Sequence, residues 1–144
     1  MIDRLFDSTS MAVITNALGA ARLQHEVTAH NLANVDTPGF KRSEVLFSER
    51  LAAALTAREG ARDQLQGTVT DPKHIPIGDV PRLEDVQPGL VVRAETSLRP
   101  DGNNVDLDAE MVKLSENTVL YQSLAQIVRM QLAQLRTAIT EGKA

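Results

Sequence analysis

The last third of the chain constrains its folding most. Leu107, Met111, Leu114, Thr118, Tyr121, Ala125, Val128, Leu132, Leu135 and Ile139 alternate four- and three-residue steps, and nine of these ten are apolar or aromatic. No proline or glycine interrupts them. Leu120, Leu124 and Ile127 widen the stripe. This periodicity predicts one amphipathic helix. Asp106 or Asn104 can cap its start, Asp108 and Glu110 suit the positive end of its dipole, and Gly142 marks its stop. At 1.5 Å per residue the stretch from 107 to 139 is about 50 Å long. An isolated helix is marginal in water. Leaving the seam wet would forfeit roughly 1.5–3 kcal/mol for each side chain that could be fully buried. The helix therefore demands a partner.

Residues 8–34 offer one. They contain no proline and only Gly19. Met11, Ile14, Leu18, Ala21, His25, Thr28 and Leu32 follow three-four spacing, widened by Val13, Ala17, Ala20 and Val27. Ser8, Thr9 or Ser10 can cap the start. This stripe is shorter and weaker than the C-terminal one. Part of the C-terminal seam is thus expected to face other chains, with the two helices packed as a coiled-coil hairpin.

Between them the texture changes. Residues 44–58, EVLFSERLAAALTAR, read as a shorter helix. From about 60 to 104, prolines at 72, 76, 81, 88 and 100 and five interspersed glycines forbid a persistent helix. LVVRAETSL, residues 90–98, is the best strand candidate. The expected organisation is one mainly α domain in three parts. An N-terminal assembly helix and turn spans 1–43, a short helix with a Pro/Gly-rich middle, either a loop-rich insert or partly disordered, spans 44–104, and a C-terminal assembly helix spans 105–144.

Composition narrows the chemistry. Aromatics are 3% of the 144 residues and Trp is absent, so a core must come from Leu, Val, Ile and Ala. The net charge is −4 with both signs mixed, unlike the clustered basic face that nucleic acid requires. With no cysteine, disulfides and thiol catalysis are excluded. No apolar run approaches the ~20 residues that span a bilayer, and the start lacks the pattern of a signal peptide. His25 and His30 are five apart, not the four of a helical metal pair, and His74 stands alone. Residues 101–111, DGNNVDLDAEM, fail the calcium-loop pattern because Val105 and Asp106 occupy its fifth and sixth positions. They read instead as a turn at Asp101-Gly102 followed by a helix cap. No catalytic group, metal site or cofactor is expected, and no small-molecule substrate.

The most specific segment is AHNLANVDTPGFKR, residues 29–42. Asn31 and Asn34 lie three apart near a helix end, where their side chains can bond unpaired backbone groups. Pro38-Gly39 reads as a type II turn, since proline fixes φ at its first central position and glycine supplies φ > 0 at the second. Asn31, Leu32, Ala33, Asn34, Thr37, Pro38, Gly39, Phe40 and Lys41 closely resemble the N-terminal signature of the bacterial flagellar rod and hook axial proteins. His30 stands where that family more often has Asn, and Phe40 where it often has Tyr. Residues 101–122 and 70–78 resemble the C-terminal and middle segments of the proximal rod subunits within that family, and the length fits them.

The resemblance implies a structural subunit of the basal-body rod, the drive shaft that crosses the periplasm. It also implies synthesis in the cytoplasm and export by the flagellar type III apparatus without a cleaved signal peptide. The implied partners are other rod proteins, further copies of the chain, the adaptor at the membrane ring and the export gate. Residues 31–34 and 37–40 would form an assembly turn. Leu107, Met111, Leu114, Tyr121, Val128, Leu132, Leu135 and Ile139 would form an assembly seam. Phe47 and Leu51 fit a short Phe-x-x-x-apolar export motif, although the same spacing suits two core residues one helical turn apart. A helical-hairpin chaperone or adaptor of the export apparatus is the competing function.

Overall fold

The computed structural model describes residues 9–62, 82–94 and 99–141. Helix α1 covers Thr9–Ala33, strand β1 Ser43–Leu46, helix α2 Ser48–Arg62, strand β2 Gly89–Val92 and helix α3 Leu107–Glu141. A single 3-10 turn spans Leu83–Asp85.

Helices α1 and α3 form an antiparallel hairpin. Three side-chain bonds fix its direction. Asn31 pairs with Glu110 near one end, Asn117 Nδ2 donates to Ala21 O at 2.9 Å in the middle, and Gln131 Nε2 donates to Ser10 Oγ at 3.4 Å near the other. The fully buried apolar residues are small. Among the described residues they are Ala20, Ala21, Val27, Ala54 and Val105. Alanines at 20 and 21 let the helices approach closely, so Asn117 reaches a main-chain carbonyl across the interface. The rest of the interior is polar: Thr28, Asn31, Asn103, Glu110 and Asn117 are all buried.

This interior corrects the expected phase of α3. The face turned toward α1 carries Glu110, Leu114, Asn117, Leu124, Val128, Gln131 and Leu135. It coincides with the expected seam only at Leu114, Val128 and Leu135, whereas Leu107, Met111, Tyr121, Leu132 and Ile139 are exposed. A 3.5-residue repeat drifts about 20° per heptad on a 3.6-residue helix. The seam thus straddles the edge of the interface: Leu114, Val128 and Leu135 are half-buried along α3, while Met111, Leu132 and Ile139 stay on its exposed flank. On α1 the expected His25 is likewise exposed, whereas the expected Ala21 and Thr28 are buried, together with Ala20, Val27 and Asn31.

The second helix is also corrected. Residues 43–46 form a strand, and the helix begins only at Ser48. β1 pairs antiparallel with β2, with Ser43 opposite Val92 and Leu46 opposite Gly89. The strand expected at 90–98 is therefore present at its start, while residues 95–98 lie outside the described residues. The same holds for the segment 70–78 with His74, and for Ser8. The 3-10 turn packs against α1, and helix α2 packs against the turn. Asn16 Nδ2 donates to Glu84 O at 2.6 Å, Arg50 Nη1 donates to Gln87 O at 3.3 Å, and Ala54 is buried beneath. Among the described residues no helix is long and apolar enough to cross a membrane.

Candidate functional site

The segment 31–43 leaves α1 by a series of tightening turns. Asn34 N donates to Asn31 O, Val35 N to Leu32 O and Thr37 N to Asn34 O, at 3.1, 3.3 and 3.0 Å. Asn34 Nδ2 bonds His30 O at 2.9 Å, so this asparagine satisfies the helix end as expected. Thr37 Oγ1 donates to Asn34 Oδ1 at 3.2 Å. Phe40 N returns to Thr37 O at 3.3 Å, and Gly39 has φ +73°. These are the marks of a type II turn over Pro38-Gly39. Leu32 and Phe40 are half-buried, Ala33 and Pro38 are exposed, and the Phe40 ring lies against His30 with centroids 5.4 Å apart.

Asn31 has a different task from the one expected. Its side chain turns away from the helix end, fully buried. Nδ2 donates to Ser43 O at 2.8 Å and to Glu110 Oε2 at 3.0 Å, and Oδ1 accepts from Ser43 N at 2.9 Å. It joins three elements: α1, β1 and the first turn of α3. Glu110 carries a charge out of water, so it needs compensation. Lys113 Nζ supplies it at 3.0 Å from Oε1.

The residues that stop α1 come from the other end of the chain. Asn103 Nδ2 fans across three carbonyls, Asn34 O, Val35 O and Thr37 O, at 2.9, 3.0 and 2.9 Å. Its Oδ1 accepts from Val105 N at 2.7 Å, so Asn103 also shapes the approach to α3. Asn104 Oδ1 accepts from Arg42 N at 2.8 Å while Nδ2 donates to Arg93 O at 2.8 Å, which bridges the two strands at their end. Of the two candidate caps, Asp106 is the one used: its Oδ1 accepts from Asp108 N and Ala109 N at 3.0 and 3.1 Å.

Two glycine turns meet here. Gly102 has φ +76°, and a Cβ on it would stand 3.9 Å from the Cα of Gly39. Gly39 N donates to Asp101 O at 2.9 Å, and Lys41 Nζ to Gly102 O at 2.7 Å. The two segments singled out in sequence, 31–41 and 101–111, thus form one clasp. Alongside it Glu44 accepts from Arg93 Nε at 2.7 Å. That bond, aided by the charges of Lys113 and Arg42 and opposed by burial, holds the Glu44 carboxyl below its ordinary range.

Phe47 and Leu51 are both half-buried, and Leu51 N donates to Phe47 O at 2.8 Å, so Phe47 opens the first turn of α2. Sequence reasoning missed Asn103 and Glu110 as partners of the N-terminal segment, because nothing local links residues so far apart.

The sequence matches the family described as flagella basal body rod protein over residues 11–41, which are α1 and the Thr-Pro-Gly turn. The chain is 34% identical to the flagellar basal body rod protein FlgB of Bacillus subtilis (strain 168), covering 90% of this chain and 92% of the relative. It is 32% identical to FlgB of Proteus mirabilis (strain HI4320), over 88% of this chain and 90% of that one. FlgB of Escherichia coli (strain K12) is 27% identical over 99% of both. These likenesses define a structural protein of the flagellar basal body rod. The chain belongs to the family of flagellar basal body rod proteins FlgB.

Proposed function

We propose that this chain is a structural subunit of the proximal rod, exported by the flagellar type III system and assembled through its terminal helices into the drive shaft. One observation carries the reading. α3 leaves a long apolar surface that α1 does not cover, with Leu107 45%, Met111 52%, Leu132 48% and Ile139 63% exposed. Exposed apolar surface on this scale marks an interaction site. α3 has 35 residues and the described part of α1 has 25. Coiled-coil contacts with neighbouring subunits along Leu107, Met111, Tyr121, Leu132 and Ile139, flanked by Leu114, Val128 and Leu135 at the edge of the α1 interface, would transmit torque as contact forces without any chemistry. The turn at residues 31–40 would hold the geometry of the α1 end. Other rod proteins, the membrane-ring adaptor and the export gate are the partners this function requires. Phe47 and Leu51 serve in export.

Leu132→Asp tests the seam. The carboxylate is solvated in the free subunit and buried unpaired in an assembled one. Expected are a soluble, secreted variant and loss of incorporation into basal bodies and of motility. Motile cells would refute the seam. Wild-type chain retained in the cytoplasm on other export substrates would favour the chaperone function.

A further inference from the structure

The clasp unites groups from two distant parts of the chain. Asn31, the carbonyls of Asn34, Val35 and Thr37, Arg42 N and Ser43 come from one; Asn103, Asn104 and Glu110 come from the other. Asn31, Asn103 and Glu110 are buried, so each has exchanged water for these partners. A partly closed clasp would bury polar groups without partners, which is worse than either the open or the closed state. Among the described residues the fully buried apolar side chains are Ala20, Ala21, Val27, Ala54 and Val105, and within 31–46 the apolar side chains of Leu32, Val35, Phe40, Val45 and Leu46 are only half-buried. The β ladder depends on the same bonds. Its end is closed by Arg93 N donating to Arg42 O at 2.9 Å and by Asn104 bridging both residues.

We infer that the clasp is an all-or-none latch: residues 31–46 acquire their fixed structure only when residues 101–113 dock on them. A chain delivered N-terminus first thus carries its α1 exit turn and β1 unfixed until its last third arrives. The inference rests on the bonds alone and holds whether or not the rod function does.

The test uses the full-length chain with Asn31→Ala, Asn103→Ala and the pair. These two side chains share no bond, so independent sites would give additive losses. The latch predicts instead that either single variant speeds amide exchange at residues 40–46 and 105–113 by a common factor of tenfold or more. The double variant should have a urea midpoint no lower than that of the worse single. Additive midpoints, with faster exchange confined to the neighbours of each substituted residue, would overturn it. Glu110→Gln, which keeps the volume, gives the same readout if an alanine variant fails to fold. Faster exchange at Gly39 and Asn104, which Glu110 does not touch, supports the latch, and an effect limited to Asn31 and Ser43 refutes it.

Discussion

Gly39 offers a clean measure of what the exit turn of α1 contributes. Its φ is +73°, and nothing lies within 4 Å of where a Cβ would stand. A side chain there meets no steric obstacle, so backbone strain alone sets its cost. The left-handed conformation is worse by about 1–2 kcal/mol for an L-residue with a Cβ. Reduced freedom of the unfolded chain gives back about 0.4–1 kcal/mol. Gly39→Ala should therefore cost about 1 kcal/mol net. Gly39→Val should cost about 2 kcal/mol, because a β-branched residue is a true outlier at positive φ. Relaxing that strain by turning the peptide would break the bond from Gly39 N to Asp101 O, which is itself worth about 1 kcal/mol. Gly39→Asn should cost the least, since Asn tolerates this region. At about 1.4 kcal/mol per factor of ten, the valine variant shifts the folding equilibrium roughly 30-fold. Urea titration followed by circular dichroism measures the series, and valine cells should secrete the subunit yet assemble few rods. Equal midpoints for Ala, Val and Asn, or Asn as the worst, would refute the strain argument, and normal motility with valine would refute the turn's part in assembly.

Glu44 supplies a pH signature. Its carboxyl is held below the ordinary Glu value of about 4.3, so its stabilisation is present above that pH and is lost as pH falls through the folded-state value. Glu44→Gln should be less stable than wild type at neutral pH, by up to about 1 kcal/mol, and the two stability curves should converge below about pH 4. Phe47→Ala should lower secretion while leaving the helical content of purified protein nearly unchanged, and wild-type secretion would discard the export motif. In dilute monomer the amides from Val128 to Ile139 should exchange faster than those of Leu114 to Leu124, and they should become protected in isolated basal bodies. Equal protection in the monomer would make that end of the seam an internal core.

The sequence revealed the two long helices because each is a run of helix-forming residues without proline, with apolar positions repeating near the helical period. It did not reveal their mutual phase. Glu110 and Asn117 look like surface residues until a partner backbone stands opposite them, and the choice of Met111 over Glu110 as an inward residue follows from counting apolar side chains alone. β1 was hidden for a related reason. Its four residues run straight into SERLAAAL, whose strong helix propensity invites an earlier start than Ser48. The Pro38-Gly39 turn and the Asp106 cap were legible since both are set by neighbours within three residues. The bonds from Asn31 to Glu110 and from Asn103 to Asn34 span 79 and 69 residues, so no local pattern encodes them.

The distribution of polar and apolar groups in this hairpin is the reverse of what stability alone would choose. Apolar burial is strong but non-directional, so a leucine seam between α1 and α3 would tolerate sliding and rotation. A buried amide or carboxylate is satisfied at one register only, and a slip of one turn would leave Asn117, Asn31 and Glu110 without partners at a cost of about 1–3 kcal/mol each. The interior therefore spends its positions on alignment. Leu114, Leu124, Val128 and Leu135 are half-buried against α1, but Leu107, Met111, Leu120, Tyr121, Leu132 and Ile139 stay on the outside of α3, where the proposed assembly would bury them. Register is fixed within the chain, and in the proposed assembly the exposed apolar side chains would supply adhesion between chains. A subunit built this way would present the same helix face at the same angle each time it docked, as the proposed assembly into a rigid shaft would require.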